Sequence, residues 1–157
     1  MHGGGSGGGI YNADTVMLIG STISGNTAAD RSGIYNAVTP SVTVTTTMRD
    51  TLVEDACGGS GTIVSEGHNI ESPGNTCGFD QPADEVNVRT EDLRLGPLQD
   101  NGGPTETHAL LPRSVAIDQI PEADCVDADG EPLTTDQRGE SRPAGDGCDV
   151  GAFEVQP

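Results

Sequence analysis

The sequence predicts an all-β solenoid: short strands stacked turn upon turn in about three rungs, with an irregular, disulfide-bound C-terminal cap. Three observations predict it. The phrase Gly9-Ile10-Tyr11-Asn12-Ala13 returns as Gly33-Ile34-Tyr35-Asn36-Ala37, 24 residues further on, and the two copies hold both tyrosines of the chain. A fixed period of 20–50 residues marks stacked architectures in which one unit cannot bury its own apolar face. The 157 residues are only 32% hydrophobic and 3% aromatic, too poor for a thick core but enough for the thin strip that each turn of a stack buries. Apolar runs of strand length are broken by Gly and Asn every few residues, which suits strands and corners and excludes helices.

Taken in order, residues 1–8 form a glycine-rich lead-in, read as a native rung corner rather than a flexible linker. The first rung runs from about Gly9 to Asp30, with strands at Thr15-Val-Met-Leu-Ile and Ser21-Thr-Ile-Ser, Ile23 facing inward, and a turn at Gly25-Asn26. The second starts at Ser32. Val42-Thr-Val-Thr alternates as a half-buried strand does. Thr51-Leu52-Val53 aligns with Thr22-Ile23-Ser24, which leaves a short insertion near residues 38–46 as a loop. The third rung, Ala56 to Gly78, contains Thr62-Ile-Val and His68-Asn-Ile between two cysteines. Residues 79–95 read as a polar, acidic connecting arm with a strand at Val86-Asn-Val. The rungs therefore occupy 1–94. From Leu95 to the end, the 24-residue period stops and apolar pairs alternate with turns, as expected of a cap over the last rung. Asp149-Val-Gly-Ala-Phe-Glu is the expected final strand.

Acids outnumber bases 25 to 7, every base is arginine, and the net charge is −18. That excludes nucleic acid as a partner, which demands cations against phosphate, and docking on an anionic bilayer. No stretch reaches the ~20 apolar residues of a membrane span. Four cysteines allow three connectivities. Sequential pairing, Cys57–Cys77 and Cys125–Cys148, closes two local loops and is the expected one. No C-x-x-C spacing points to zinc. Bridges imply an oxidising, extracellular setting. The start of the chain lacks an apolar secretory core, so such a signal is expected to have been removed, to lie upstream, or to be absent.

Asn12 and Asn36 are expected to stack as an amide ladder and Tyr11 and Tyr35 as an aromatic pair. Asp127, Asp129 and Glu131 alternate around Gly130 like the start of a calcium loop, without the twelfth-position Glu of an EF-hand. They are the candidate metal ligands, and calcium is the one candidate cofactor. His2, His68 and His108 are too far apart in sequence to suggest a constellation. Shifting Thr43 and Thr45 back by 24 or by 29 residues meets no threonine, so no threonine array is expected.

The Gly-Ile-Tyr-Asn phrase followed by Ser21-Thr-Ile-Ser-Gly-Asn resembles the repeats of bacterial surface proteins of the pectin-lyase-like superfamily. The runs LGPLQDNGGPTETHALLPRSVAID, TTDQRG and CDVGAFE resemble the end region of the choice-of-anchor Q group. Together these cover most of residues 7–154. The resemblance implies a right-handed parallel β-helix, secreted or on the cell surface, and brings no catalytic residues. The chain is shorter than such proteins and has no visible anchor.

Relatives of that architecture include pectate lyases and galacturonan hydrolases, which need a base with calcium, or paired carboxylates. The hydrolase phrases Asn-Thr-Asp and Arg-Ile-Lys are missing, and Gly67-His68-Asn69 only half matches Gly-His-Gly. Arg49, Asp50, Glu54 and Asp55 form the only acid–base group on one rung. The expectation is therefore a non-enzymatic structural or adhesive module with no catalytic residues. It would be the C-terminal part of a longer protein and would present loops, the insertion near residues 38–46 and the acidic segment 79–92, to a carbohydrate or surface protein. A lyase or hydrolase of acidic polysaccharide is the alternative. The first rung is expected to be uncovered before Gly9. Open strand edges pair with other chains, so self-association through that end, or cover by missing sequence, follows.

Overall fold

A computed structural model describes residues 7–29, 32–37 and 40–157. The chain is all-β in character. Its strands are β1 (Ile10–Asn12), β2 (Thr15–Ile19), β3 (Thr22–Ile23), β4 (Ile34–Asn36), β5 (Thr45–Arg49), β6 (Leu52–Val53), β7 (Cys57–Gly59), β8 (Thr62–Ser65) and β9 (Ile70–Glu71). A single helical turn α1 (Thr90–Leu93), the strands β10 (Leu95–Gln99) and β11 (Thr107–Leu110), and a short 3-10 turn (Glu122–Asp124) follow. The first nine strands form three 3-stranded sheets, ordered β1-β4-β7, β2-β5-β8 and β3-β6-β9, and every pairing is parallel. Each pass of the chain thus gives one strand to each sheet.

The three sheets share one apolar interior. Ile34, Met48, Val53, Ile23 and Cys57 are buried in it, with Ile10, Leu18 and Ile63 packed against them. Neighbouring inward positions on short strands suffice because strands present alternate residues to opposite faces. The register puts Tyr11 on Tyr35 and Asn12 on Asn36. Asn12 Nδ2 donates to Asn36 Oδ1 at 3.0 Å, and Asn36 Nδ2 passes on to the Thr62 carbonyl at 2.9 Å. Thr46 Oγ1 donates to Asn36 Oδ1 at 2.6 Å. A third asparagine is replaced by Gly59, which lies in register with Asn36.

Several details differ from the sequence expectation. Ile23 pairs with Val53, one residue on from the predicted Leu52. One residue of slip exchanges the two faces of a strand, so Val53 turns inward and Leu52 outward. The middle strand starts at Thr45, the last residue of the predicted Val42-Thr-Val-Thr. Thr15, Thr45 and Thr62 do stack in one column. The expected absence of stacked threonines rested on the two trial offsets, and the pairing of Thr15 with Thr45 lies one residue beyond the longer of them. The next outward column, Met17, Thr47 and Val64, is mixed, so the threonines form a single file. Residues 38 and 39 of the predicted insertion, and the lead-in through residue 6, lie outside the described residues.

The two segments after the stack do not sit as expected. The open edge of β9 is taken up by residues 85–88: Glu71 donates to the Glu85 carbonyl at 2.8 Å, and Val88 to the Glu71 carbonyl at 3.2 Å. Phe79 and Val86 join the interior, and Asp84 accepts from Ser65 Oγ and the Asn69 amide. The acidic arm therefore closes the last pass. The C-terminal segment lies along the flank instead, touching all three passes. Ala152 donates to Thr22 Oγ1, Gly151 to the Asp50 carbonyl, and Leu52 and Ile70 enter a second core with Leu93, Leu110, Ile120 and Val150. Within it β10 and β11 pair as an antiparallel hairpin, while the predicted final strand, Asp149 to Glu154, forms no strand; the bridge Ile120–Cys148 lies just before it. The bridges Cys57–Cys77 and Cys125–Cys148 close loops of 20 and 23 residues, each contributing about 3 kcal/mol by chain entropy.

Gly59 has φ +96, and an added Cβ would collide with the Asn36 carbonyl oxygen. Gly25 has φ +70 with open space around it. Gly59→Ala should therefore cost more than about 3 kcal/mol, combining backbone strain with collision. Gly25→Ala should cost only about 1–2 kcal/mol. Urea unfolding of the two variants measures the difference.

Candidate functional site

The outward face of β1 and β4 carries the tyrosine pair. The rings lie 5.8 Å apart at an interplanar angle of 14°, and Tyr11 is 60% exposed. Gly58 follows in register, so no third ring extends the pair. Asn12 and Asn36 point inward and are buried. Their amides are spent on the ladder and on carbonyls of the neighbouring strands.

Asp127, Asp129 and Glu131 do not converge. Asp127 Oδ1 accepts the backbone N–H groups of Asp129 at 2.9 Å and Glu131 at 3.0 Å. The carboxylate thus holds the turn around Gly130 together. Among the described residues, no group of three or more His, Cys, Asp or Glu is placed to hold a metal ion.

The predicted acid–base group splits in two. Glu54 and Asp55 accept from Ser24 and Asn26 on the preceding pass. Arg49 and Asp50 lie at the corner after β5, and the corner after β8 brings His68 to them. His68 Nδ1 is 3.6 Å from Asp50 Oδ1, and Arg49 Nε is 3.7 Å from Asp50 Oδ2. His68 Nε2 is 4.0 Å from Asp124 Oδ2, and Arg49 Nη1 3.7 Å from Glu66. Arg49 Nη2 also donates to the carbonyls of Val126 and Asp127, both at 2.8 Å. Asp50 is 1% exposed, and neither of its carboxylate oxygens has a hydrogen-bond partner. Burial pushes its pKa up to about 7, against the opposing pull of Arg49 and Arg142 and with help from Asp124. Sequence spacing could not find this group, because His68 joins it only through the parallel register of β5 and β8.

The C-terminal segment carries a second set of buried charges. Glu154 accepts from Arg142 Nε at 2.9 Å and from the backbone of Ala144 and Asp149. Asp136 accepts from Arg138, Glu140 and Glu154. Burial alone would raise the Asp136 pKa, but those hydrogen bonds outweigh it and the net shift is downward. Asp149 accepts from the Asp118 and Val155 amides, yet burial still pushes it up to about 6. Arg138 lies over the Phe153 ring at 3.7 Å. Buried carboxylates replace apolar mass here by pairing backbone amides that irregular loops would otherwise leave unsatisfied.

Among the described residues, three clefts border the Asp50 corner and the C-terminal charges. One of about 440 Å³ lies between Gly20-Ser21-Thr22 and Arg142. One of about 220 Å³ is lined by His68, Gln119 and Pro121. One of about 730 Å³ is mainly apolar, between Pro121, Leu133 and Pro143. None holds two free acid–base groups: Asp136 and Arg142 are already paired, and Asp84 and Glu85 beside His68 serve the closing arm. No helix is long and apolar enough to cross a membrane among the described residues. No family model, curated protein or solved structure matches the chain.

Two outcomes follow for the buried charges. Glu154→Gln leaves the Arg142 guanidinium buried without its counter-charge and should cost about 3–5 kcal/mol in urea unfolding. Asp136, whose folded pKa is depressed, stabilises the fold above its unfolded value of 3.8 and loses that contribution as pH falls through the folded value. Asp136→Asn should accordingly flatten the acid limb of the stability profile measured between pH 5 and 2.

Proposed function

We propose that this chain is a right-handed parallel β-helix module, akin to the choice-of-anchor Q group, that works by display rather than by catalysis. In this proposal it acts outside the cell or on its surface, as part of a longer protein, and presents a rigid outer face to a carbohydrate or protein partner. The observation that carries the proposal is the pairing of β1 to β9. Each pass feeds the three parallel sheets in the same order, around a shared interior. The two disulfides suit an oxidising environment. The stacked Tyr11–Tyr35 pair is the exposed aromatic platform of that face, and a sugar ring packs on such a surface through its C–H groups.

The competing activity, cleavage of an acidic polysaccharide, gains one point from the meeting of Arg49, Asp50 and His68. Two facts weigh more heavily against it. Asp50 is sealed at 1% exposure, and a net charge of −18 repels a polyanionic substrate.

A glycan array and a digestion assay together test the proposal. The expected result is retention of neutral oligosaccharides, weakened about 2- to 10-fold in Tyr11→Ala, with no chain cleavage. Release of unsaturated or reducing ends from an acidic polysaccharide, abolished by Arg49→Ala, would replace display with catalysis.

A further inference from the structure

The Arg49–Asp50–His68 corner lies where the C-terminal segment meets the stack, and four contacts cross there. Arg49 Nη2 holds the Val126 and Asp127 carbonyls, the Asp50 carbonyl accepts from Gly151 at 2.9 Å, and His68 faces Asp124. The stack itself is continuous through the same corner, since Asp50 N–H donates to the Gly67 carbonyl at 3.2 Å. Both central residues adopt left-handed backbone conformations, Asp50 with φ 55 and His68 with φ 53. Such conformations cost non-glycine residues of the order of 1 kcal/mol and persist where the surroundings over-determine them.

The side chains at this corner are nonetheless unsatisfied. Both Asp50 oxygens, Arg49 Nε and His68 Nδ1 are buried without hydrogen-bond partners. An orphaned carboxylate beside an orphaned imidazole nitrogen is a pair that gains from one shared proton, held either as a carboxyl donating to Nδ1 or as an imidazolium donating to Oδ1. In the second form, the other imidazole N–H turns to Asp124. Without that proton, a buried carboxylate faces a neutral ring that has one N–H for two acids.

We propose that Asp50 and His68 form a proton-operated fastener between the stack and the C-terminal segment, gripping when one proton is held between them and slackening when it leaves. The charged groups around Asp50 are Arg49 on its own corner, His68 and Glu66 from the corner after β8, Asp124 from the 3-10 turn, and Arg142, itself paired to Glu154. The arginines do not titrate in this range. Glu66 and Asp124 are partly exposed, so the buried pair sets the response. The sign follows from linkage. A carboxyl whose folded pKa lies above its unfolded value favours the folded form on the acid side, and that advantage disappears as pH rises through about 7.

Amide exchange followed by NMR tests this directly, with rates corrected for intrinsic pH dependence. Between pH 6.5 and 8, above the midpoint of Asp149, protection of the Gly151 amide should fall about two- to fourfold. Protection of Thr45, whose amide is bonded to the Asp14 carbonyl within the stack, should stay level. In Asp50→Asn the Gly151 profile should become flat. Should that variant not fold, the wild-type Asp50 carboxyl decides, since its 13C shift should change over the same pH range as the loss of Gly151 protection. Gly151 protection that is independent of pH, an unchanged slope in Asp50→Asn, or an Asp50 carboxyl transition displaced from the loss of protection would each overturn the proposal.

Discussion

The structure depends first on the parallel register that stacks Asn36 over Asn12. Parallel strands exchange backbone hydrogen bonds evenly and tolerate several registers unless side chains choose one. Here the choice is made by two buried amides that find partners only when overlaid. A shift of one residue would send both amides to the outer face and leave Thr46 and the Thr45 carbonyl without their bonds. From that register follow the tyrosine pair outside, the aliphatic strip inside and the meeting of the corners after β5 and β8.

A second constraint is scarcity of apolar mass. The stack needs little, because each pass buries only its inward residues. The C-terminal segment is different: it is nearly all loop, and loops carry backbone amides without ladder partners. Asp136, Asp149 and Glu154 meet that need, each accepting from two or more main-chain N–H groups, and Glu71 does the same for the loop after β9. Ionised acceptors make strong hydrogen bonds, so a few carboxylates order many residues. Part of the acidity of the chain is therefore internal architecture rather than solvated surface. Asp50 stands apart from these four because its oxygens serve no amide at all.

Tyr11, Tyr35, Asn12 and Asn36 were legible because a repeated phrase overlays like on like wherever successive passes run parallel. The pairing of neighbouring cysteines was legible as the most local closure. Arg49 and Asp50 drew attention as charges beside an apolar strand, but grouping them with Glu54 and Asp55 failed. Four residues further along, the chain has turned the corner and faces the preceding pass. His68 was invisible as their partner, since the length of each pass varies and no constant period predicts which corner lies beneath which.

By itself the sequence determined the all-β class and the parallel overlay of the repeated phrase, because that phrase and the alternating short apolar runs encode local strand formation. It also determined the net charge, which depends on composition alone. Tertiary structure decided what lies against what: the acidic arm closing the last pass, the C-terminal segment along the flank, and the Asp50–His68 contact. Those are encounters between surfaces far apart in the chain, chosen by shape and by the burial of Leu52 and Ile70 on an outward face, and no short-range pattern carries that information.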